Sequence, residues 1–150
     1  MIVLAFDGSE SATHAIASAH DVLGNVPLTV LHVWGPPVAG FDADPFGGLQ
    51  TWSPSQIAEL ESAVRDRAQR VLDEGVALAA QAGFVAEGRL ERADAAPWRA
   101  ILDVADELDA QLIIAGARGL STVRSVVLGG VSNALVHHAK RPVLVVPQLS

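Results

Sequence analysis

The sequence contains no cysteine, which excludes disulfides, thiol redox chemistry and thiolate metal sites. Aromatic residues are scarce, at 5% of the chain, although half of all residues are hydrophobic. The apolar mass is therefore aliphatic, in a proportion that suits a globular domain and not a disordered chain. No apolar run approaches the roughly 20 residues of a membrane-spanning helix. The opening residues lack the basic lead and small-residue cleavage site of a signal peptide, so the expected location is cytoplasmic. Acidic residues are missing altogether from residues 111–150.

That last gap gives the charge its pattern. Of 150 residues, 17 are acidic and ten are Lys or Arg, a formal net charge of −7. Residues 1–110 hold every acid and six of the bases, net −11, whereas residues 111–150 hold only Arg118, Arg124, Lys140 and Arg141, net +4. Four scattered bases on an acidic body are a poor footprint for a long nucleic acid. A small phosphate ligand near the acid-free segment fits better. The length suits one domain, residues 1–150, with a core of its own.

Short β-type runs alternate with helical periodicity along the chain. Residues 2–6 form a near-continuous apolar run, as in a strand covered on both faces, and Asp7-Gly8-Ser9 ends it. Apolar positions from Ala12 to Leu23 then recur at helical spacing, with Ser9 or Ser11 as the cap and Gly24 as the stop. A second strand is expected over 28–34, followed by a long loop rich in Pro and Gly over 35–53. Ser53-Pro54-Ser55-Gln56 predicts a helix start with a capping box, and Gly83 is the expected end of that helix. A third strand over 84–90, a helix capped by Asp94, a fourth strand over 112–115, a helix opened by Gly129-Gly130 and a fifth strand over 143–146 complete the order. Strands separated by amphipathic helices imply a doubly wound parallel sheet with helices on both faces. In such sheets a ligand sits beyond the carboxyl ends of the strands, near a switch point. This makes Asp7, Val33-Trp34 and Gly116 candidates on position alone.

The most informative segment is Gly116-Ala117-Arg118-Gly119, nine further residues, then Gly129-Gly130-Val131-Ser132. Gly116 and Gly119 let backbone N–H groups approach an anion without an intervening Cβ. Gly129 and Gly130 open a helix, where free N–H groups favour phosphate, and Ser132 adds a hydroxyl. Neither the GxxxxGK[ST] loop nor the dinucleotide GxGxxG is present.

This G-x2-G-x9-G spacing, with Val131-Ser132 after it and the ending His138 to Val146, resembles the universal stress protein family. So do the first strand ending Asp7-Gly8-Ser9 and the Leu31-His32-Val33 of the second. The resemblance spans the chain. It implies a five-stranded parallel sheet in the order 3-2-1-4-5, adenine nucleotide alpha hydrolase-like, and a homodimer through the last strand. The glycine pattern resembles that of ATP-binding members, whose role is that of a stress-response sensor or regulator with at most slow ATP hydrolysis. By that resemblance Ala5 and Asp7 line the nucleoside, and Val33 meets adenine through its backbone. Ala115, Gly116, Arg118 and Gly119 border ribose and phosphates, and Gly129, Gly130, Val131 and Ser132 hold the phosphates. ATP is the expected ligand, AMP or ADP the alternatives, with Mg²⁺ carried by the nucleotide and Asp7 as the one candidate carboxylate for it. The chain departs from the family at Gly130, where Ser or Thr is usual. One hydroxyl donor is thereby lost, worth about 0.5–1.5 kcal/mol. The departure keeps open a second reading, a dimeric interaction module that binds no nucleotide. A third, an adenylyl-transferring enzyme, finds no appended substrate domain to support it.

The remaining residues read more plainly. No pair of histidines has ligand spacing: His14 and His20 are six apart on one helix, and His137 and His138 are adjacent. His32 is expected to be a hydrogen-bonded core residue. Arg118 is a candidate phosphate partner, Arg124 a solvated charge or dimer contact, and Lys140 and Arg141 a complement to the dipole of the last helix. Phe41, Phe46 and Trp52 in the long loop are expected to fold back over a sheet edge. Residues 142–147 form an apolar edge strand in the implied order, which pairing with a second copy would cover.

Overall fold

A computed structural model of the chain describes residues 1–36, 53–118 and 128–148. The elements run β1 (Ile2–Ala5), α1 (Glu10–Leu23), β2 (Pro27–Trp34), α2 (Pro54–Ala82), β3 (Val85–Arg92), α3 (Pro97–Glu107), β4 (Leu112–Gly116), α4 (Gly130–His138) and β5 (Val143–Val146). The five strands form one sheet in the order β3-β2-β1-β4-β5, and every neighbouring pair is parallel. This is the doubly wound architecture expected from the periodicity and the strand order that the family resemblance implies. The order reverses between β1 and β4, the switch point where a doubly wound sheet opens a crevice.

Strand alternation divides the core in two. Leu4, Phe6, Leu28, Val30 and Ile114 face α1 and α2, where they meet Ile16, Ala19, Leu72 and Ala79. Val3, Leu31, Ile113 and Ala115 face the other way, onto Ile101, Val104 and Ala105 of α3 and Leu135 of α4. Small residues set how close the helices come. A Cβ on Gly75, in the middle of α2, would lie 2.5 Å from the Phe6 ring, so glycine there lets the helix lie directly against the end of β1.

The helix boundaries follow their caps. Ser9 Oγ accepts from the Ala12 N–H, and Ser53 and Gln56 form the full capping box. Gly83, at φ 116°, ends α2 in the left-handed region. Two expectations need correction. Asp94 does not cap α3: the cap position is Ala96, without a side-chain hydrogen bond, ahead of Pro97. Asp94 instead pairs with Arg92 at 3.1 Å, because β3 runs on to Arg92 and the helix starts later than its first carboxylate. Arg141 does not serve α4. Its guanidinium donates to the carbonyls of Ala105 (2.8 Å) and Ala110 (2.6 Å) at the end of α3 and pairs with Asp106. The chain leaving α4 passes these carbonyls of its neighbour, and the Ala105 carbonyl accepts from Arg141 as well as from the Ala110 N–H.

Candidate functional site

The site is built where β1 stops. Phe6 N–H donates to the Leu31 carbonyl at 2.8 Å, the last rung between β1 and β2. The chain then turns away. Asp7 Oδ1 accepts from the Ser9 N–H at 3.0 Å, Gly8 sits at φ 83°, and Ser9 caps α1. An aspartate that bonds two residues onward is a turn-forming device, so one oxygen of Asp7 is committed to the turn. The other makes no hydrogen bond among the described residues.

The consequence falls on β2. In a parallel ladder alternate residues present their N–H and C=O to opposite neighbours. The Leu31 carbonyl points to β1, and the Trp34 carbonyl, which accepts from Ala93, points to β3. Val33 therefore presents its N–H and C=O toward β1, beyond the point where β1 has left the sheet. No hydrogen bond to either group is made by the described residues on that side. A half-buried donor and acceptor, side by side and without partners, form an edge that can pair with a planar heterocycle. His32, beside it, is hydrogen-bonded as expected, but it is half-buried and not part of the core. It donates from Nδ1 to the Phe6 carbonyl at 2.8 Å, since a carbonyl only accepts. Burial lowers the imidazole pKa from its ordinary 6.5, while the Phe6 hydrogen bond and the Asp7 charge oppose that shift.

The second wall is the end of β4 and the start of α4. Gly116 ends β4, and a Cβ on it would fall 2.5 Å from Ser11 Oγ and 2.9 Å from the Ser11 carbonyl group. Glycine is required here by the first turn of α1, a packing reason beside the ligand-approach reason drawn from the motif. Ser11 is buried and its Oγ accepts from the Arg118 N–H at 3.2 Å. Ala117, next along, ties the two ends of the connecting segment together. Its carbonyl accepts from the Gly129 N–H at 2.6 Å and from the Ser132 hydroxyl at 3.1 Å. Ser132 Oγ also lies 3.1 Å from the Gly129 carbonyl and is buried at 3% exposure. Two donors assigned to phosphate from the motif, the Gly129 N–H and the Ser132 hydroxyl, are thus spent on this closure. What remains at the start of α4 is the backbone N–H row from Gly130, unused by the helix ladder. A Cβ on Gly130 would meet no atom of the described residues within 4 Å.

The structure thus brings Ala5, Asp7, Val33, Ala115, Gly116 and Arg118 to the carboxyl ends of β1, β2 and β4, and Gly129, Gly130, Val131 and Ser132 to the facing helix start. Gly119, Arg124, Phe41, Phe46 and Trp52 lie outside the described residues. Ser11 was not legible as a site residue, because its partner Arg118 is 107 residues away. Among the described residues no three His, Cys, Asp or Glu side chains are grouped to hold a metal ion, and no helix is long and apolar enough to cross a membrane.

Residues 1–147 match the model of the universal stress protein family. The chain belongs to that family. A universal stress protein of Thermus aquaticus is 33% identical over 147 residues, covering 97% of this chain and 96% of the relative. One from Mycolicibacterium smegmatis is 28% identical over 147 residues; the match covers 97% of this chain but only 47% of that longer protein. Among solved structures, a universal stress protein in complex with cAMP is 26% identical, with a TM-score of 0.64 over 97% of this chain and 94% of that one. The universal stress protein of Archaeoglobus fulgidus in complex with dAMP is 25% identical, with a TM-score of 0.60 over 96% and 94%. Universal stress proteins similar in sequence and fold to this chain therefore hold adenine nucleotides.

Proposed function

We propose that this universal stress protein binds an adenine nucleotide at the carboxyl end of its sheet and acts as a stress-response sensor or regulator. The observation that carries the reading is the open backbone edge of Val33, which faces the gap where β1 leaves the sheet. An adenine ring offers the complementary donor and acceptor in one plane. The N–H row that opens α4 suits the phosphates, and no acidic residue lies in the segment that supplies it. ATP is the proposed ligand, with AMP and ADP as the shorter alternatives. Mg²⁺ would enter with the phosphates, and the free oxygen of Asp7 is the carboxylate nearest in sequence to the site. Hydrolysis, if it occurs, is proposed to be slow, and the protein works in the cytoplasm as a homodimer joined through β5.

The test is to denature the purified protein, identify any nucleotide released, and titrate the refolded or nucleotide-free protein with ATP by calorimetry. An adenine nucleotide in the supernatant, or saturable binding, supports the reading. No released nucleotide together with no heat at millimolar ATP would sink it. One observation favours a second reading, a dimeric interaction module without nucleotide. Gly130 brings no hydroxyl and that of Ser132 is already engaged, so the phosphate site rests on backbone donors. That reading predicts a melting temperature unmoved by ATP.

A further inference from the structure

The ladder between β1 and β2 does not stop for want of an acceptor. With Ala5 paired to Leu31, the next rung of a parallel ladder would run from the Val33 N–H to the Phe6 carbonyl. That carbonyl is present and satisfied, but by a side chain: His32 Nδ1 donates to it at 2.8 Å. The same strand that would use the acceptor supplies the group that takes it. Phe6 is buried, at 2% exposure, so its carbonyl must be paired by one donor or another.

We propose that His32 is a positioning residue, which takes the Phe6 carbonyl away from the β1–β2 ladder and so leaves the Val33 backbone open to ligand. It touches no ligand atom itself. Three features act in concert with it: the Asp7 to Ser9 turn, the positive φ of Gly8 and the capping of α1 by Ser9 carry the chain away from β2. The turn alone would leave the Phe6 carbonyl available to Val33. The imidazole removes that choice, and its ring, fixed in the Nδ1–H form by the carbonyl, is held in one orientation. Since the ligand arm rests on the adenine reading above, adenosine is the appropriate probe: it lacks phosphates and so reports on the Val33 edge apart from α4.

The test compares His32→Asn, whose side-chain amide places a donor close to the position of Nδ1, with His32→Leu and His32→Gln, which remove or displace it. In ligand-free protein, amide hydrogen exchange followed by NMR should show Val33 exchanging faster than Leu31 in the wild type and in His32→Asn. Val33 should become protected in His32→Leu, as the Phe6 carbonyl passes to it. Calorimetry with adenosine should find His32→Asn within about twofold of the wild type and His32→Leu weaker by about three- to tenfold, the range of one hydrogen bond. His32→Gln should behave as His32→Leu does, and it stands in for that variant if the apolar side chain prevents folding. A Val33 amide as protected as Leu31 in the wild type would overturn the proposal, as would an Asn variant as weak as the Leu variant. A wild type that binds neither adenosine nor ATP ends the proposed function instead. The exchange pattern still decides whether His32 diverts the ladder.

Discussion

Burial sets the imidazole of His32 against its own charge. Its pKa in the fold lies below the ordinary 6.5, because desolvation outweighs the Phe6 hydrogen bond and the Asp7 charge. The unfolded chain therefore binds this proton more readily than the folded one. The stabilisation is fully present above pH 6.5 and is lost as the pH falls through the lower folded-state value. Chemical denaturation at pH 7.5 and pH 5.5 should show the wild type losing more stability on acidification than His32→Asn does. Equal losses would mean that the ring titrates freely in the fold. Gly130 makes the opposite kind of prediction. A Cβ there meets no atom of the described residues within 4 Å, so Gly130→Ser should fold as the wild type does and adds a hydroxyl at the start of α4. ATP affinity should rise about two- to tenfold by calorimetry, as for one added hydrogen bond. An unchanged affinity would place the phosphates elsewhere than the start of α4. The spacing in the sequence singled out Gly129, Gly130 and Ser132 as candidates. It did not reveal that the Ser132 hydroxyl is turned back onto Ala117, because a serine one turn into a helix reads the same whether it faces a ligand or its own neck.

Among the elements, the strands and the starts of α1 and α2 were legible because their signals are local, whereas Asp94, read as the cap of α3, is paired with Arg92 instead. Ser53, Pro54 and Gln56 lie within four residues and form the capping box seen in α2, and the apolar runs of β1, β4 and β5 fall where expected. Contacts between elements distant in the chain were not legible. Gly116 reads as a loop glycine, but the Ser11 backbone 2.9 Å from its absent Cβ belongs to a helix a hundred residues earlier. Gly116→Ala must push α1 from the end of β4 and should cost about 1–3 kcal/mol of stability, measurable in urea. Loss of less than half a kcal/mol, below the usual effect of overpacking, would show that α1 yields. Arg141 makes the same point for charge. Its neighbours in sequence are α4 and β5, while its acceptors are one carbonyl in the last turn of α3 and one just beyond that helix. Arg141→Met should cost about 1–3 kcal/mol, because both carbonyls lose a charged donor. The loss should be largely insensitive to salt, since the side chain is only 17% exposed. A loss that disappears at high salt would assign the effect to the exposed Asp106 pair instead.

For the whole molecule, the acid-free segment proves narrower in purpose than its net charge suggests. Arg141 is engaged with α3, so in the proposed site the pull on an anion falls to the backbone N–H groups at the start of α4, in a segment that carries no acid of its own. The two outer strands of the sheet are unlike. β3 carries Glu87, Arg89, Glu91 and Arg92 in eight residues, with Arg89 bridged to Glu91 and Glu107. β5 is Val143 to Val146 without a charge, and its first three residues are only half-buried. Sedimentation at micromolar concentration should give a dimer, and Leu144→Glu should give a monomer, since two like charges would meet across the shared edge. A wild-type monomer would remove β5 as the contact. The mismatch between the edges has a consequence for growth. A sheet whose two sides were equally apolar would add copies head to tail without end. If copies pair through β5, the charged β3 edge opposes the next molecule, so association is expected to stop at two copies and not to run on into a filament.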